Sequence, residues 1–517
     1  MINNTKILDC TLRDGGYYTN WDFDKELVGN YCKLMETLPI DYIEVGYRSI
    51  PLKGYLGKYF YCPVYILKDL KELMPSKKLV IILNEKDIRP EHLEEVLAPC
   101  KSYIKLVRIA IDPKNFERAI ILAKAVKSMG FEVGFNVMYM SEWLEDSSFL
   151  ELLTGLDEVI DYFYMVDSFG GLSPDEVINI IDLVKSKTNV PLGFHGHNNL
   201  EMALINTITS IKKGCSIVDS TITGMGRGAG NLRTELLLIY LNSKEKFNIN
   251  YSLLGNVVSD FESLKKTYNW GTNLPYMFSG AYSLPQKQVM EWVGKNRYPI
   301  SSIITALNNQ KDDIADNIKL PSLSKESNFK TALILGGGKS ALNHSEAIMK
   351  VADSDDTTCV IHAGGRNVLE YLNIKSEQYY TLVGFESEKL LTNIGSDVSK
   401  LKNTCVFPPF PRAMGTIIPD SIKHLSKELE AINFTAVSSD SLLAISLQLA
   451  IDLGVSKILL SGFDGYDTEI DQAQFALAQE NQNILNDIIK VKDISVQAIT
   501  PTKYKNIKVT SIYNMLK

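Results

Sequence analysis

The chain has 517 residues, 45% of them hydrophobic and 22% charged, with a formal charge of −7. That length is ample for two or three buried cores. The acidic balance gives no support to nucleic-acid binding, and no apolar run is long enough to insert in a membrane. The opening MINNTKILDC lacks the cationic and apolar segments of a signal peptide, and the seven cysteines are scattered without metal-like spacing. Both features predict a cytoplasmic protein with reduced thiols.

Ile7–Leu12 reads as a short buried strand that runs into Arg13–Asp14 and two glycines. An arginine and a carboxylate at the mouth of a buried strand are costly unless paired or bound to something. A helix over Asp24–Leu38 follows, capped by Asp22 or Asp24. The strand Asp41–Val45 carries Glu44 inside an apolar run, and Arg48–Tyr61 is an irregular loop. Further strands are predicted at Lys78–Leu83, Ile104–Ala110, Glu132–Val137, Tyr162–Val166, Pro191–His195 and Ser216–Asp219. Helices fit between them at Pro90–Leu97, Asn115–Met129, Trp143–Leu153, Pro174–Lys185 and Leu200–Ile211, with another at Leu232–Leu241. Eight strand–helix alternations favour a closed (β/α)8 TIM barrel over an open doubly wound sheet.

Polar residues collect where these strands end: Asp14, Glu44, Asn84, Arg108, Asn136, Asp167, His195, His197 and Asp219. His195 and His197 are two apart, which sends both imidazoles to one face of a strand. Each residue has a structural alternative. Asn84 can cap a turn, Asp219 can bond to backbone, and Arg108 can pair with Asp112. Thr223–Asn231, TGMGRGAGN, sets four glycines around Arg227. It reads either as a barrel-closing loop or as a phosphate cradle.

Arg13–Asp14, Glu44 and His195-Gly196-His197 together resemble the signature of the DRE-TIM metallolyases, over roughly the first 300 residues. This superfamily includes 4-hydroxy-2-oxovalerate aldolases, 3-hydroxy-3-methylglutaryl-CoA lyases, and isopropylmalate and homocitrate synthases. Asp14, His195 and His197 make a donor set suited to Mn, Mg, Co or Zn; the resemblance favours Mn2+ and adds Asn231, in GNLRTE, as a further metal contact. It implies a 2-oxo acid and a carbonyl compound as substrates, with Arg13, Glu44 and Tyr17 in the catalytic role and Asn84, Arg108, Asn136 and Asp167 around the substrate. In the aldolases a histidine three residues after the motif aspartate is the base; Tyr17 stands there here. A phenol is a poor base at neutral pH unless a cation lowers its pKa. Tyr17, Tyr18, Tyr139 and metal-bound hydroxide therefore remain open as replacements. The segment Trp270–Pro285 departs as well, with Leu284–Pro285 where related proteins often have His-Pro. Barrels of this family are commonly dimeric, so a homo-oligomer is expected.

We assign 1–241 to the barrel, 242–307 to a helical post-barrel segment, 308–328 to a linker and 329–517 to a Rossmann-like open α/β domain. The last begins with strand, glycine turn and helix in KTALILGGGKSA. Strands follow at Thr358–Ala363, Tyr379–Phe385, Thr404–Phe407, Phe434–Val437 and Lys457–Leu460, with a helix at Ser441–Leu453. GGGKS and ILLSGFDGYD partly resemble sialyltransferase-like or motility-accessory glycosyltransferase-like folds. The resemblance implies a nucleotide or nucleotide-sugar ligand at Gly336, Gly338, Ser340, Asp464 and Asp467, and a role in surface-polysaccharide synthesis. A plain β–turn–α connection is the alternative. For the whole chain the leading expectation is a metal-dependent aldolase or lyase. The alternatives are an acyl-CoA-dependent Claisen enzyme and a non-catalytic sugar-nucleotide-binding or assembly protein.

Overall fold

The structure, a computed structural model, describes residues 5–294, 298–314, 318–323, 327–412, 415–437, 440–466 and 472–516. Two compact units, 1–290 and 291–517, make up the chain. The first is a closed barrel of eight parallel strands: β1 (Lys6–Asp9), β2 (Tyr42–Tyr47), β3 (Lys78–Asn84), β4 (Ile104–Ile111), β5 (Glu132–Val137), β6 (Tyr162–Asp167), β7 (Leu192–Gly196) and β8 (Ile217–Ser220). β1 pairs with both β2 and β8 and closes the ring.

Two cores result. Apolar side chains pointing outward from the strands pack against the surrounding helices, while Leu8, Tyr42, Val80, Leu106, Tyr162, Tyr164 and Ile217 fill the barrel interior. The interior also takes Arg108, whose guanidinium lies 4.1 Å from the Tyr164 ring centre. Glycines on the flanking strands make that room. A Cβ on Gly193 would stand 2.5 Å from the Tyr164 ring, and one on Gly134 would stand 3.3 Å from Arg108 Cγ. Any side chain on Gly193 would therefore displace the tyrosine that the arginine stacks on.

Several predicted elements of the barrel differ. The first strand stops at Asp9 because the Asp9 carboxylate accepts the Thr11 N–H at 2.9 Å and bends the chain into a one-turn helix, Thr11–Asp14. Arg13 and Asp14 thus lie on a helical turn above the barrel, not at a strand end. The Trp143–Leu153 helix is split into a 3-10 turn at Met140–Glu145 and a short helix at Ser147–Glu151, since Asp146 caps the second piece through the Phe149 N–H. The helix expected from Leu200 begins at Ala203, whose N–H goes to Asn198 Oδ1.

The second unit is an open, fully parallel sheet. Its strands are β9 (Thr331–Leu335), β10 (Thr358–Ala363), β11 (Gln378–Thr381), β12 (Cys405–Phe407), β13 (Ser426–Glu428), β14 (Lys457–Ser461), β15 (Ser495–Ala498) and β16 (Lys508–Val509), in the spatial order 13-12-11-10-9-14-15-16. The order reverses at β9, the switch point of a Rossmann-like fold. Leu443–Ala450, on the helix Leu442–Asp452, is buried all round, which explains its nearly unbroken apolar sequence. Phe434–Val437 is not a strand. Thr435 Oγ1 donates to Asp487 and accepts the Val437 N–H, which turns the backbone there. The edge position belongs to the polar β13, where Arg412 pairs with Glu428. Among the described residues no helix is long and apolar enough to cross a membrane.

Candidate active site

A buried file of alternating charges crosses the C-terminal end of the barrel. Arg13 pairs with Asp14 through Nη1 and donates from Nε to Glu44 Oε2 at 2.6 Å. Glu44, at 0% exposure, has its other oxygen 3.5 Å from Arg108 Nε. Arg108 donates in turn to Asn136 Oδ1 at 2.7 Å and to Asp219 Oδ2 at 2.6 Å, and Asp219 Oδ2 lies 2.8 Å from His195 Nδ1. Such a file is tolerable in the interior only because each charge faces its opposite. Arg108 thus meets Asp219 and Glu44 rather than Asp112.

Both imidazoles are held in one tautomer. Asp219 Oδ2 already accepts from Arg108, so His195 Nδ1–H donates to it and Nε2 is left with its lone pair, 3.7 Å from Asp14 Oδ2. His197 Nδ1–H donates to the Asp167 carbonyl at 2.8 Å, which leaves its Nε2 free in the same way. Burial drives His195 well below the ordinary 6.5 and lowers His197 too, the Asp14 charge opposing in both cases. Burial raises the Asp14 carboxyl, but the Arg13 charge, helped by the Asn231 hydrogen bond, outweighs it and holds the carboxyl below its ordinary value. Asn231 Nδ2 donates to Asp14 Oδ2 at 2.7 Å, while its buried Oδ1 has no hydrogen-bond partner in the protein. Two neutral imidazoles with free lone pairs, an ionised carboxylate and an orphaned amide oxygen are all groups that can ligate a divalent ion.

Cys10, His195 and Asp219 also bring ligand-type atoms within 4.8 Å of one another. This group shares His195 with the first. Burial raises the Cys10 thiol well above its ordinary 9, with Asp14 adding to the effect, and Asp219 Oδ2 is taken up by Arg108 and His195. On those grounds we read Asp219 as the support that orients His195, and the Asp14 side as the face open to an ion.

The site opens into a cavity of about 400 Å³, lined by Arg13, Asp14, His195 and His197 and, among the expected substrate contacts, by Asn84 and Asn136. Arg13 Nη2 is buried with no partner in the protein. Tyr17 is 37% exposed, lines the cavity and shares a 3.0 Å hydrogen bond between its hydroxyl and that of Tyr47. Tyr139 lines it as well. Glu44, Arg108 and Asp167 do not. Asp167 spends its carboxylate on the Gly170 N–H at 2.9 Å and the Leu172 N–H at 3.4 Å, and burial lifts it to about 6 against these bonds. Tyr47, Ser168, Asn199 and Gln286 line the cavity without having been singled out from the sequence. Only Tyr47 left a signal there, three positions after Glu44 on the same strand.

In the second unit Gly336, Gly338, Ser340 and Asp464 do come together at the switch point. The Ser340 N–H, which a phosphate would claim, donates to Asp464 Oδ2 at 2.9 Å; the Ser340 hydroxyl bonds to the same carboxylate, and the Gly338 N–H goes to the Gly462 carbonyl. Asp467 lies outside the described residues.

A parallel (β/α)8 barrel with this cluster at the C-terminal ends of its strands defines a metal-dependent carbon–carbon lyase or aldolase. Residues 101–261 match the HMGL-like family. The 4-hydroxy-2-oxovalerate aldolase of Carboxydothermus hydrogenoformans is 32% identical over 246 residues, 47% of this chain and 71% of the relative. The oxaloacetate decarboxylase of Mycobacterium tuberculosis is 26% identical over 46% of this chain and 70% of the relative. Among solved structures, the N-terminal domain of a protein from Bacteroides vulgatus described as an aldolase is 56% identical. That match has a TM-score of 0.56 and covers 58% of this chain and 99% of that one. The chain belongs, through its barrel, to the HMGL-like family of DRE-TIM metallolyases.

Proposed function

We propose that the barrel forms or cleaves a C–C bond between a 2-oxo acid and an aldehyde or ketone, with a divalent ion, Mn2+ first among the candidates, held by Asp14, His195, His197 and Asn231. The observation that carries this reading is the pair of neutral imidazoles, both committed at Nδ1 and both free at Nε2, beside an ionised Asp14. When bound, the ion supplies Lewis-acid polarisation of a substrate carbonyl. Arg13 Nη2, the unpartnered donor on the cavity wall, hydrogen-bonds the oxyanion that develops as the α-proton leaves. Glu44 fixes the plane of that guanidinium through Nε. Tyr17, backed by the Tyr47 hydroxyl, carries the proton to and from the reacting carbon or the carbonyl partner. Asn84, Asn136, Ser168, Asn199 and Gln286 give the cavity an amide and hydroxyl lining that suits a polyhydroxylated, sugar-derived partner.

The test is α-proton exchange of pyruvate and other small 2-oxo acids in deuterated buffer, followed by NMR with and without added Mn2+, together with metal analysis of the purified protein. Metal-dependent exchange is the expected result. Stoichiometric metal in a D14N/H195A protein, or no exchange with any 2-oxo acid, would count against the reading.

A further inference from the structure

The metal and oxyanion chemistry accounts for the buried end of the cavity. It leaves three cations on the lining unexplained. Arg227, Lys86 and Lys287 all face the same space, from the loop after β8, the turn after β3 and the segment after the barrel. None of the three makes an ion pair among the described residues. Asp14 is the one carboxylate on the described lining, and it already faces Arg13 and His195. Lys86 and Lys287 are exposed whereas Arg13, Asp14 and His195 are buried, so positive charge is concentrated toward the open end.

Arg227 is placed there by its neighbours. Its guanidinium lies 5.0 Å from the centre of the Tyr17 ring. A Cβ on Gly226 would stand 2.5 Å from Asn231 Nδ2, and Gly228 has a φ of +59°, a conformation that side-chain-bearing residues rarely adopt. The two glycines seat the loop against Asn231 and Tyr276 and leave the arginine between them as the one long side chain, half-buried on the cavity wall. Three unpaired cations brought from three separate segments onto one cavity give it a single-sign field, and such a cleft selects for a ligand of opposite sign.

Resting on the aldolase reading above, we infer that the carbonyl partner of the 2-oxo acid carries an anionic group, phosphate or carboxylate, remote from the reacting carbon, and that Arg227, Lys86 and Lys287 bind it. The 2-oxo acid's own carboxylate would be held at the buried end, by Arg13 and by an ion bound there. The distal anion then lies across the length of the cavity, with the asparagine-lined middle between them. Anchoring both ends would align the carbonyl carbon with the nucleophilic carbon of the donor, where the new bond forms as the carbonyl oxygen takes a proton.

The experiment uses the full chain loaded with Mn2+, with pyruvate as donor. Acceptors are D-glyceraldehyde and acetaldehyde as neutral probes, glyceraldehyde 3-phosphate as the phosphate probe, and succinic semialdehyde as the carboxylate probe. At least one anionic acceptor is expected to exceed the neutral ones roughly 10- to 100-fold in kcat/KM, and whichever class does so identifies the group. That advantage should shrink with added salt and disappear through KM in a K86Q/K287Q protein, while acetaldehyde turnover and pyruvate exchange hold. A binding measurement accompanies it: the metal-free protein should broaden the 31P signal of inorganic phosphate, or shift on titration with succinate, and a K86Q/K287Q/R227Q protein should not. Pyruvate exchange with equal use of neutral and anionic acceptors would overturn this inference and leave the aldolase reading standing. An anionic preference that survives the triple variant would also overturn it. Absence of exchange would overturn both.

Discussion

His195 donates from Nδ1 to Asp219 Oδ2 at 2.8 Å, and Arg108 Nη2 holds that same oxygen at 2.6 Å. Asp219 therefore fixes both the ring orientation and the tautomer of the histidine. Its carboxyl is raised by burial against the pull of Arg108. The pair explains why a fully buried arginine sits in the barrel: it makes the Asp219 charge tolerable, and Asp219 in turn turns His195 Nε2 toward Asp14.

D219N should weaken metal binding by about 10- to 100-fold without unfolding the barrel, because partners of this kind tune a ligand rather than supply one. Titration of Mn2+ into the apo-protein, with circular dichroism as the fold control, reads the effect. An unchanged affinity would leave Asp219 with a purely structural role.

R13K separates the arginine from the metal. The lysine keeps a charge but loses the planar fork that spans Glu44 and Asp14 while presenting Nη2 to the cavity. Exchange should slow by about 10²–10³, the usual effect of losing one oxyanion donor, with metal occupancy retained. Wild-type exchange in R13K would remove Arg13 from the chemistry.

Y17F and Y47F test the phenol pair. If Tyr17 carries the proton, Y17F should cut turnover steeply while Mn2+ and 2-oxo acid binding persist. Y47F, which removes only the partner hydroxyl 3.0 Å away, should cost less. Equal, small effects in both would return the role to Tyr139 or to a water.

The second unit should be acid-sensitive through His362. Burial pushes this imidazole down to about 4, against a 2.8 Å hydrogen bond to Gln378 Oε1. An unfolded chain takes up the proton near 6.5 and the folded one only near 4. The contribution is therefore whole above pH 6.5 and falls away between 6.5 and 4, by roughly 3 kcal/mol. Hydrogen exchange of peptides covering Thr358–Ala363, at pH 7 and pH 4.5, should show that loss in the wild type and a flatter response in H362Q. Identical pH dependence in the two proteins would contradict it.

Residue periodicity alone determined the two architectures. Strand–helix alternation and apolar strand interiors are set by local spacing and by which faces must be buried, so β5 and β10 lie where the sequence predicted them. That Arg13, Asp14, His195 and His197 would gather at one place was equally legible, since ionisable groups beside buried strands are tolerable only when paired or bound. What the tertiary structure alone decided was which of those polar residues line the cavity and which stand behind them. Glu44, Arg108 and Asp167 lie on barrel strands just as Asn84 and Asn136 do, yet the first three are spent on Arg13, on Asp219 and on the Gly170 turn. The same holds for Ser340, whose N–H is taken by an aspartate 124 positions away. Hydrogen-bond partners so distant in sequence leave no periodic trace. They are selected only once the barrel closes or the sheet assembles, when each buried donor must find whichever acceptor the fold has brought within reach.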